Sequence, residues 1–441
     1  MPAAEPVSST VALSEEQRLA VEHAGGPLIV LAGPGTGKTR VITARVAHLV
    51  RERGADPGRV LAVTFTNKAA GELRSRLQGL LGASAACRIT AGTMHSFGVR
   101  LLQRFGDVLG LPGEFEILDE AQQRRLAREL IRANGLYRAS IGRGIDHAVE
   151  HGLRVAHELV SAGLTPGGAL ARIDRLLAGL GSDGSPEARA RRAELSVARE
   201  GAELARLMDA ACLDRATPRF DDLITWPMML LERSETVAAI VRHECGHVVV
   251  DEFQDLNATQ IAWLSALCPP RTRPDLCVVG DDDQSIYAFR GADERAFDRF
   301  ESVWPGSRTV RLTTNYRSGG AVIDASNAVI GRAGYRFDSS KFGRPGPAAP
   351  EGSAVEVVRM GSDMRVGETA AAMIRRRLDE DPGLDLSGIA VIARTSTELL
   401  RAGAALEAMG VPYVSSVPDP SREDAGVRTV LAWAELAVDP T

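Results

Sequence analysis

A glycine-rich loop near the N-terminus constrains the fold of this 441-residue chain more than any other feature. A short apolar run at 27–33 leads into Ala32-Gly-Pro-Gly-Thr-Gly-Lys-Thr39, and a helical pattern follows over 40–53. Glycines let consecutive backbone N–H groups turn inward around phosphate oxygens, and the N-terminus of the helix adds its dipole. A strand, such a loop and a helix in this order predict a phosphate-binding loop.

The residues of this loop predict a site for ATP and Mg²⁺. We expect the ammonium group of Lys38 to reach the β- and γ-phosphates and the hydroxyl group of Thr39 to bind Mg²⁺. Ala32 stands where the motif usually has glycine, and the position needs only a small side chain. The predicted nucleotide contacts in the loop are Ala32, Gly33, Pro34, Gly35, Thr36, Gly37, Lys38 and Thr39.

A second feature places two carboxylates at the end of a strand. Three valines lead from His247 into Asp251 and Glu252. Open α/β sheets carry their chemistry at the carboxyl ends of the strands. One acid can therefore hold Mg²⁺ while its neighbour activates a water molecule.

Apolar runs alternate with helical patterns along the rest of the chain. This alternation predicts an α/β fold with a parallel, doubly wound sheet. Residues 119–215 are rich in Arg, Ala, Glu and Leu and predict a helical insertion. A further α/β pattern follows, with strands expected at 354–360, 388–394 and 411–415, helices at 364–378 and 398–409, and a final helix at 422–436.

Aromatic and small polar residues follow several predicted strands and suit contact with single-stranded nucleic acid. Stacking on bases and hydroxyl-to-phosphate hydrogen bonds are the expected interactions. Phe65 and Phe97 also fit positions in the hydrophobic core, and the pattern alone favours that alternative. The remaining candidates are Thr66, Asn67, His95, Tyr287, Phe289 and Arg290.

The charge composition limits how the chain can contact DNA. Its formal net charge is −5, so DNA contact is expected from a local groove and not from a global positive field. Of 52 basic residues only Lys38, Lys68 and Lys341 are lysines. A lysine that persists among arginines suggests a need for a compact point charge, although chance is an alternative explanation for Lys341.

Together, six motifs resemble the UvrD/Rep/PcrA family of superfamily 1 DNA helicases over nearly the whole chain. They are, in order, AGPGTGKT, TFTNKAA, TMHSF, VVVDEFQD, VGDDDQSIYAFRGA and TTNYRS. The resemblance implies a P-loop NTPase with RecA-like domains. It also implies an ATP-dependent 3′–5′ helicase or translocase on single-stranded DNA, active in repair, replication or recombination.

The resemblance assigns a role to each candidate residue. Gln17 matches the residue that reads the adenine, Tyr316 the one that stacks on it, and Arg40 lies beside the nucleotide. Asp251 matches the Mg²⁺ ligand and Glu252 the base. Lys38, Gln284 as γ-phosphate sensor and Arg317 as arginine finger complete the expected catalytic set. On the DNA side, the matching positions are Phe65, His95, Tyr287, Phe289 and Arg290.

The resemblance also implies a domain organisation. We expect a disordered lead, a first RecA-like ATP-binding domain in two segments, a helical insertion, and a partial second RecA-like domain that ends where a further helical insertion begins. The corresponding residues are 1–12, 13–118 with 216–305, 119–215, and 306–441.

The family's later Gly-Leu-Glu motif and its last arginine motif are not found before Thr441. We therefore expect this polypeptide alone to bind ATP and Mg²⁺ but to hydrolyse ATP weakly. Two alternatives stay open: an ATP-switched DNA-binding or regulatory module, and the helicase subunit of a recombination helicase-nuclease.

The expected partners are single-stranded and duplex-junction DNA, with repair or recombination proteins. No apolar run approaches the roughly 18 residues that a membrane span needs. We therefore expect no membrane contact and a cytoplasmic location, on the nucleoid when DNA is bound.

Overall fold

The computed structural model describes residues 13–138, 144–180, 185–347, 349–350, 354–360, 365–417 and Thr429. The chain divides into two units, Met1–Val355 and Glu356–Thr441. The predicted lead at 1–12 lies outside the described residues, and so does the predicted final helix apart from Thr429.

A parallel sheet of six strands forms the centre of the first unit, in the order β3-β2-β4-β5-β1-β6. The strands are β1 Leu28–Ala32, β2 Val60–Thr64, β3 Thr90–Thr93, β4 His247–Val250, β5 Asp275–Gly280 and β6 Arg308–Leu312. Alternate residues of β1 face two different hydrophobic clusters, with Ile29 and Leu31 in one and Leu28 and Val30 in the other. The sheet is therefore covered on both sides, which confirms the predicted α/β fold class.

Fourteen helices occur in the described part of the first unit. They are α1 Glu15–Val21, α2 Lys38–Arg51, α3 Asn67–Leu81, α4 Ala83–Ala86, α5 Met94–Phe105, α6 Glu120–Asn134, α7 Ile145–Ser161, α8 Pro166–Gly179, α9 Pro186–Asp214, α10 Asp222–Arg233, α11 Glu235–Glu244, α12 Ala258–Leu267, α13 Ala296–Val303 and α14 Gly320–Ile330. Helices α6 to α9 occupy the predicted insertion and include a hydrophobic cluster of their own around Ile131, Leu204 and Met208. In the described range none of these helices combines the length and the apolar character that crossing a bilayer requires.

The predicted domain boundary between residues 305 and 306 falls too early. Strand β6 pairs with β1 along its whole length, from Leu28 opposite Arg308 to Ala32 opposite Leu312. It therefore completes the first sheet. Only Val310 and Leu312 of β6 are buried, as is usual for an edge strand. Such a pattern identifies a strand but not the sheet to which it belongs.

The second unit contains two packed helices, α15 Val366–Glu380 and α16 Ser396–Ala408. The strands predicted at 354–360, 388–394 and 411–415 are not formed in the part that the structure describes. Val357, Ile392 and Val414 in these segments are 81%, 91% and 100% exposed. A strand exists only where a neighbour supplies ladder hydrogen bonds, and apolar alternation cannot supply that neighbour.

We expect Gly98→Ala to lower the free energy of unfolding by about 1–3 kcal/mol, because overpacking a close helix contact forces the backbone apart. Gly98 lies in α5, and a Cβ there would lie 1.9 Å from the carbonyl oxygen of Leu223 in α10. Urea unfolding measures the change.

Gly79→Ala in α3 is the matched control, since a Cβ at Gly79 meets nothing within 4 Å. It should raise stability by roughly 0.5–1 kcal/mol, as alanine does in a helix. Equal effects of the two substitutions would show that α5 and α10 are not in close contact.

Candidate functional site

The phosphate-binding loop joins β1 to α2 and depends on two glycines. Gly35 and Gly37 have φ of 70° and 87°, in the left-handed region that favours glycine. The Thr36 hydroxyl donates a hydrogen bond of 2.7 Å to the Gly33 carbonyl oxygen and closes the turn. Lys38 and Thr39 then begin α2, where the dipole of the helix favours an anion.

Gln17 is fixed against this loop and is 2% exposed. Its amide nitrogen donates to the Thr36 carbonyl oxygen at 2.9 Å, and its amide oxygen accepts from the Ser14 backbone N–H at 3.1 Å. Behind it, Arg45 donates to the Ala20 carbonyl oxygen at the end of α1. Arg40 lies in the first turn of α2. Reading of adenine by Gln17 remains a prediction.

The segment that carries Tyr316 and Arg317 packs directly on the loop. The Tyr316 backbone N–H donates to the Gly35 carbonyl oxygen at 2.8 Å. Asn315 accepts from the backbone N–H groups of Arg317 and Ser318 at 2.8 and 2.9 Å. A Cβ at Gly35 would lie 2.4 Å from Asn315 Oδ1, so glycine allows this contact. The side chains of Tyr316 and Arg317 are exposed beside the loop.

Glu16 makes contacts beside the site that the sequence did not predict. Its carboxylate accepts hydrogen bonds from Thr313, at 2.7 Å from the hydroxyl and 3.0 Å from the backbone N–H. These bonds hold the start of the Tyr316 segment against α1. The two short strands β7 Thr314–Asn315 and β8 Arg344–Pro345 then pair in parallel. The family resemblance assigns a role to the neighbouring Gln17, whereas Glu16 has only the sequence pattern of an acid in the first turn of a helix.

Strand β4 delivers the two carboxylates as predicted. Glu252 has φ of 49°, unusual for a residue other than glycine, and its carboxylate pairs with Lys38 at 3.1 Å. Asp251 accepts from the Glu252 backbone N–H at 2.9 Å. Burial, together with the nearby charge of Glu252, raises the pKa of Asp251 to about 7. This end of the sheet is therefore rich in negative charge.

Two further residues at this end were not predicted. Gln254 donates to Glu252 at 2.8 Å and accepts from the Asp281 backbone N–H at 2.9 Å. Asp281 in turn accepts from the Gln284 amide at 2.6 Å. Asp255 has a buried oxygen without a hydrogen-bond partner, and burial with the Glu252 charge raises its pKa to about 6. The tips of β4 and β5 are thus joined by side-chain hydrogen bonds.

A cavity of about 540 Å³ brings several predicted residues together. It is lined by Gly33 and Pro34 of the loop, by Gln284, and by Asn315 and Ser318 of the Tyr316 segment. Gln284 therefore faces the same space as the phosphate-binding loop, as its predicted role requires.

Thr39 and Asp251 fit a divalent cation by their chemistry. A hydroxyl and a carboxylate are the hard oxygen ligands that Mg²⁺ takes. Burial and the Glu252 charge raise the pKa of Asp251 despite the nearby Lys38, and a bound divalent cation would favour the ionised carboxylate.

An aromatic strip lies just beyond the tip of β5. Phe65 stacks on Tyr287 with ring centroids 5.4 Å apart, and Tyr287 contacts Phe289 at 6.0 Å. The Arg290 guanidinium lies over both Tyr287 and Phe289, at 5.2 and 5.6 Å. Phe289 is 80% exposed, which leaves a face free for a base. Thr66 and Asn67 are exposed at the start of α3, which Thr66 caps.

His95 forms a second stacked pair, with Phe220, at 4.0 Å between ring centroids. Phe220 is 56% exposed and was not predicted as a site residue, although the sequence marks it as the start of a helix. Phe97 is 9% exposed and belongs to the hydrophobic core. The alternative that the residue pattern favoured for Phe97 is therefore confirmed.

The parallel sheet with its phosphate-binding loop, paired acids and Gln284 defines a P-loop nucleotide-binding protein of the RecA-like helicase class. Residues 13–305 match the family described as the UvrD/REP helicase N-terminal domain. The chain belongs to the UvrD/Rep family of helicases.

Individual relatives agree with this assignment. The chain is 34% identical to ATP-dependent DNA helicase UvrD1 of Mycobacterium tuberculosis over 444 aligned residues, which cover 97% of this chain and 52% of the relative. Identity to ATP-dependent DNA helicase PcrA of Leuconostoc citreum is 30%, over 98% of this chain and 53% of the relative. Identity to ATP-dependent DNA helicase Rep of Escherichia coli is 33%, over 76% of this chain and 46% of the relative. The chain thus spans about half the length of these relatives.

The partly buried His95 imidazole, stacked on Phe220, predicts a dependence of stability on pH. Burial lowers the pKa of His95 from 6.5 to about 4, so between these values the unfolded chain binds a proton that the folded chain does not. The His95 contribution to the free energy of unfolding should therefore fall as pH falls through this window. His95→Gln should remove that part of the slope in urea unfolding.

His147→Gln, at an exposed histidine of α7, serves as the control and should leave the slope unchanged. If His95→Gln and wild type lost stability in parallel between pH 6.5 and 4, His95 would not be held neutral in the fold.

Proposed function

We propose that this protein is an ATP-dependent DNA helicase or translocase that moves 3′–5′ along single-stranded DNA. The observation that carries the proposal is the loop after β5. Its first residues present Gln284 to the cavity at the phosphate-binding loop. Its next residues, Tyr287, Phe289 and Arg290, form the aromatic strip with Phe65. One short loop thus contributes residues to the cavity at the phosphate-binding loop and to the aromatic strip.

The chemistry follows from the residues at the strand ends. Mg²⁺, when bound, supplies positive charge at the β- and γ-phosphates. Thr39 and Asp251 would hold it. Lys38 pairs with Glu252 in this structure, and ATP would draw the ammonium group to the phosphates. Glu252 is then free to orient a water molecule for attack on the γ-phosphate.

The segment beside the loop completes the ATP site. Arg317, whose backbone is held next to Gly35 through Asn315, would stabilise charge on the transferred phosphoryl group. Tyr316 would stack on the adenine, with Gln17 and Arg40 beside it.

The names of the relatives support DNA as the substrate of this chain. We extend the proposal to single-stranded and duplex-junction DNA, to work in repair or recombination with partner proteins, and to a cytoplasmic location. The 3′–5′ direction is part of the same proposal.

Two substitutions separate binding of ATP from its hydrolysis. Lys38→Ala should weaken ATP binding at least about tenfold, because it removes the ammonium group from the phosphates. Glu252→Gln should retain ATP binding and lower kcat about a hundredfold or more, because the group that orients water is lost. Binding of a fluorescent ATP analogue and ATP turnover with and without single-stranded DNA measure both effects.

Equal loss of ATP binding in the two variants would refute the role assigned to Glu252. Tight ATP binding without turnover in the wild-type chain, with DNA affinity that changes with the nucleotide, would favour an ATP-switched DNA-binding module instead of a motor.

Tyr287→Ala tests the aromatic strip. Loss of one base-stacking ring should weaken binding of an oligothymidylate about tenfold or more, since stacking contributes roughly 1–3 kcal/mol per base. Fluorescence anisotropy at a fixed salt concentration measures the affinity. Tyr335→Ala is the control, at an exposed tyrosine whose ring contacts Arg295. Equal effects of the two variants would place the DNA elsewhere.

A further inference from the structure

Lys341 lies inside a cluster of three consecutive acids. Its side chain is 4% exposed, and its ammonium group is 2.5 Å from Asp281 and 3.2 Å from Asp283. It also contacts Asp282. Asp281 is fully buried. A buried ammonium group with three carboxylates is a specific arrangement, because a buried charge needs close partners.

The Lys341 cluster connects to the ATP site through hydrogen bonds. Lys341 binds one oxygen of Asp281, and the other oxygen accepts from the Gln284 amide at 2.6 Å. The Asp281 backbone N–H donates to Gln254, which donates to Glu252. Loss of the ammonium group would therefore act first on the orientation of Asp281 and Gln284.

The charge balance accounts for a lysine at this position in a chain whose 52 basic residues include only three lysines. One oxygen from each of the three acids lies within 4.8 Å of the other two. A compact ammonium group with three donors can sit between them, whereas a planar guanidinium group donates in a fixed fork. Arg336, with that fork, instead pairs with Asp283 alone, at 2.7 and 2.8 Å.

The position of Lys341 in the chain links two parts of the site. It follows α14 and lies three residues before β8, which pairs with β7 next to Arg317. We infer that Lys341 is a positioning residue that holds the γ-phosphate sensor Gln284 in register with the Arg317 segment. The inference rests on the proposed function. Lys341 also lines the cavity at the phosphate-binding loop, but the three carboxylates occupy its ammonium group.

The test compares the affinities of the protein for a non-hydrolysable ATP analogue and for ADP, by displacement of fluorescent ADP. Lys341→Arg keeps the charge but cannot place donors on all three acids. We expect it to weaken binding of the triphosphate about tenfold, the worth of one charged hydrogen bond, and to change ADP binding less than about twofold. Gln284→Ala should cause the same loss.

The double variant Lys341→Arg with Gln284→Ala should lose no more than Gln284→Ala alone, because the two residues act through one contact. A second variant protects against misfolding. Lys341→Met with Asp282→Asn removes the ammonium group together with one of the charges that it balances, and it leaves Asp283 paired with Arg336. It should show the same loss of triphosphate preference.

Arg219→Met is the control for general destabilisation, since Arg219 is a buried arginine paired with Asp222 at 2.7 Å. It should lower the melting temperature and leave the preference for triphosphate unchanged. Additive losses, or an unchanged preference in the Lys341 variants, would overturn the inference. If wild type bound the ATP analogue no better than Lys38→Ala protein does, the proposed function itself would fail.

Discussion

The structure depends on three neighbouring parallel strands, β4, β5 and β1, buried at the centre of the sheet. Parallel pairing puts their carboxyl ends at one edge. The phosphate-binding loop follows β1, Asp251 and Glu252 follow β4, and Asp281 follows β5. These groups meet because apolar strands far apart in the sequence pack side by side. Burial of the apolar strand residues thus stabilises the arrangement that brings these polar groups together.

Several carboxylates lie close together at this edge of the sheet, and their mutual repulsion opposes folding. Burial raises the pKa of such carboxylates, as it does for Asp251, and nearby positive charge opposes that shift. Two lysines balance part of this negative charge, Lys38 beside Glu252 and Lys341 beside Asp281. Lys38 is available to a phosphate because its partner is 36% exposed, whereas Lys341 is enclosed by its partners and has a structural task.

Local sequence patterns predicted the parts of the site that local geometry determines. The glycines of the loop and the acids after β4 both follow from neighbours in the sequence. The contact of Glu16 with Thr313 joins residues that are 297 positions apart, and the contact of Lys341 with Asp281 joins residues 60 positions apart. The periodicity of a local sequence pattern does not predict such contacts. Strand β6 was placed in the wrong sheet for the same reason, because pairing is a property of two segments and not of one.

The loop after β5 gives a physical basis for coupling the cavity at the phosphate-binding loop to the aromatic strip. Gln284 and Tyr287 are three residues apart, so their backbones are separated by at most about 10 Å. Short turns at Asp282–Gln284 and Ala288–Arg290 further restrict the loop. Asp281 anchors it on one side and the stack of Phe65 on Tyr287 on the other. A segment this short has little freedom to absorb a shift, and a displacement of Gln284 would therefore move Tyr287 in the aromatic strip.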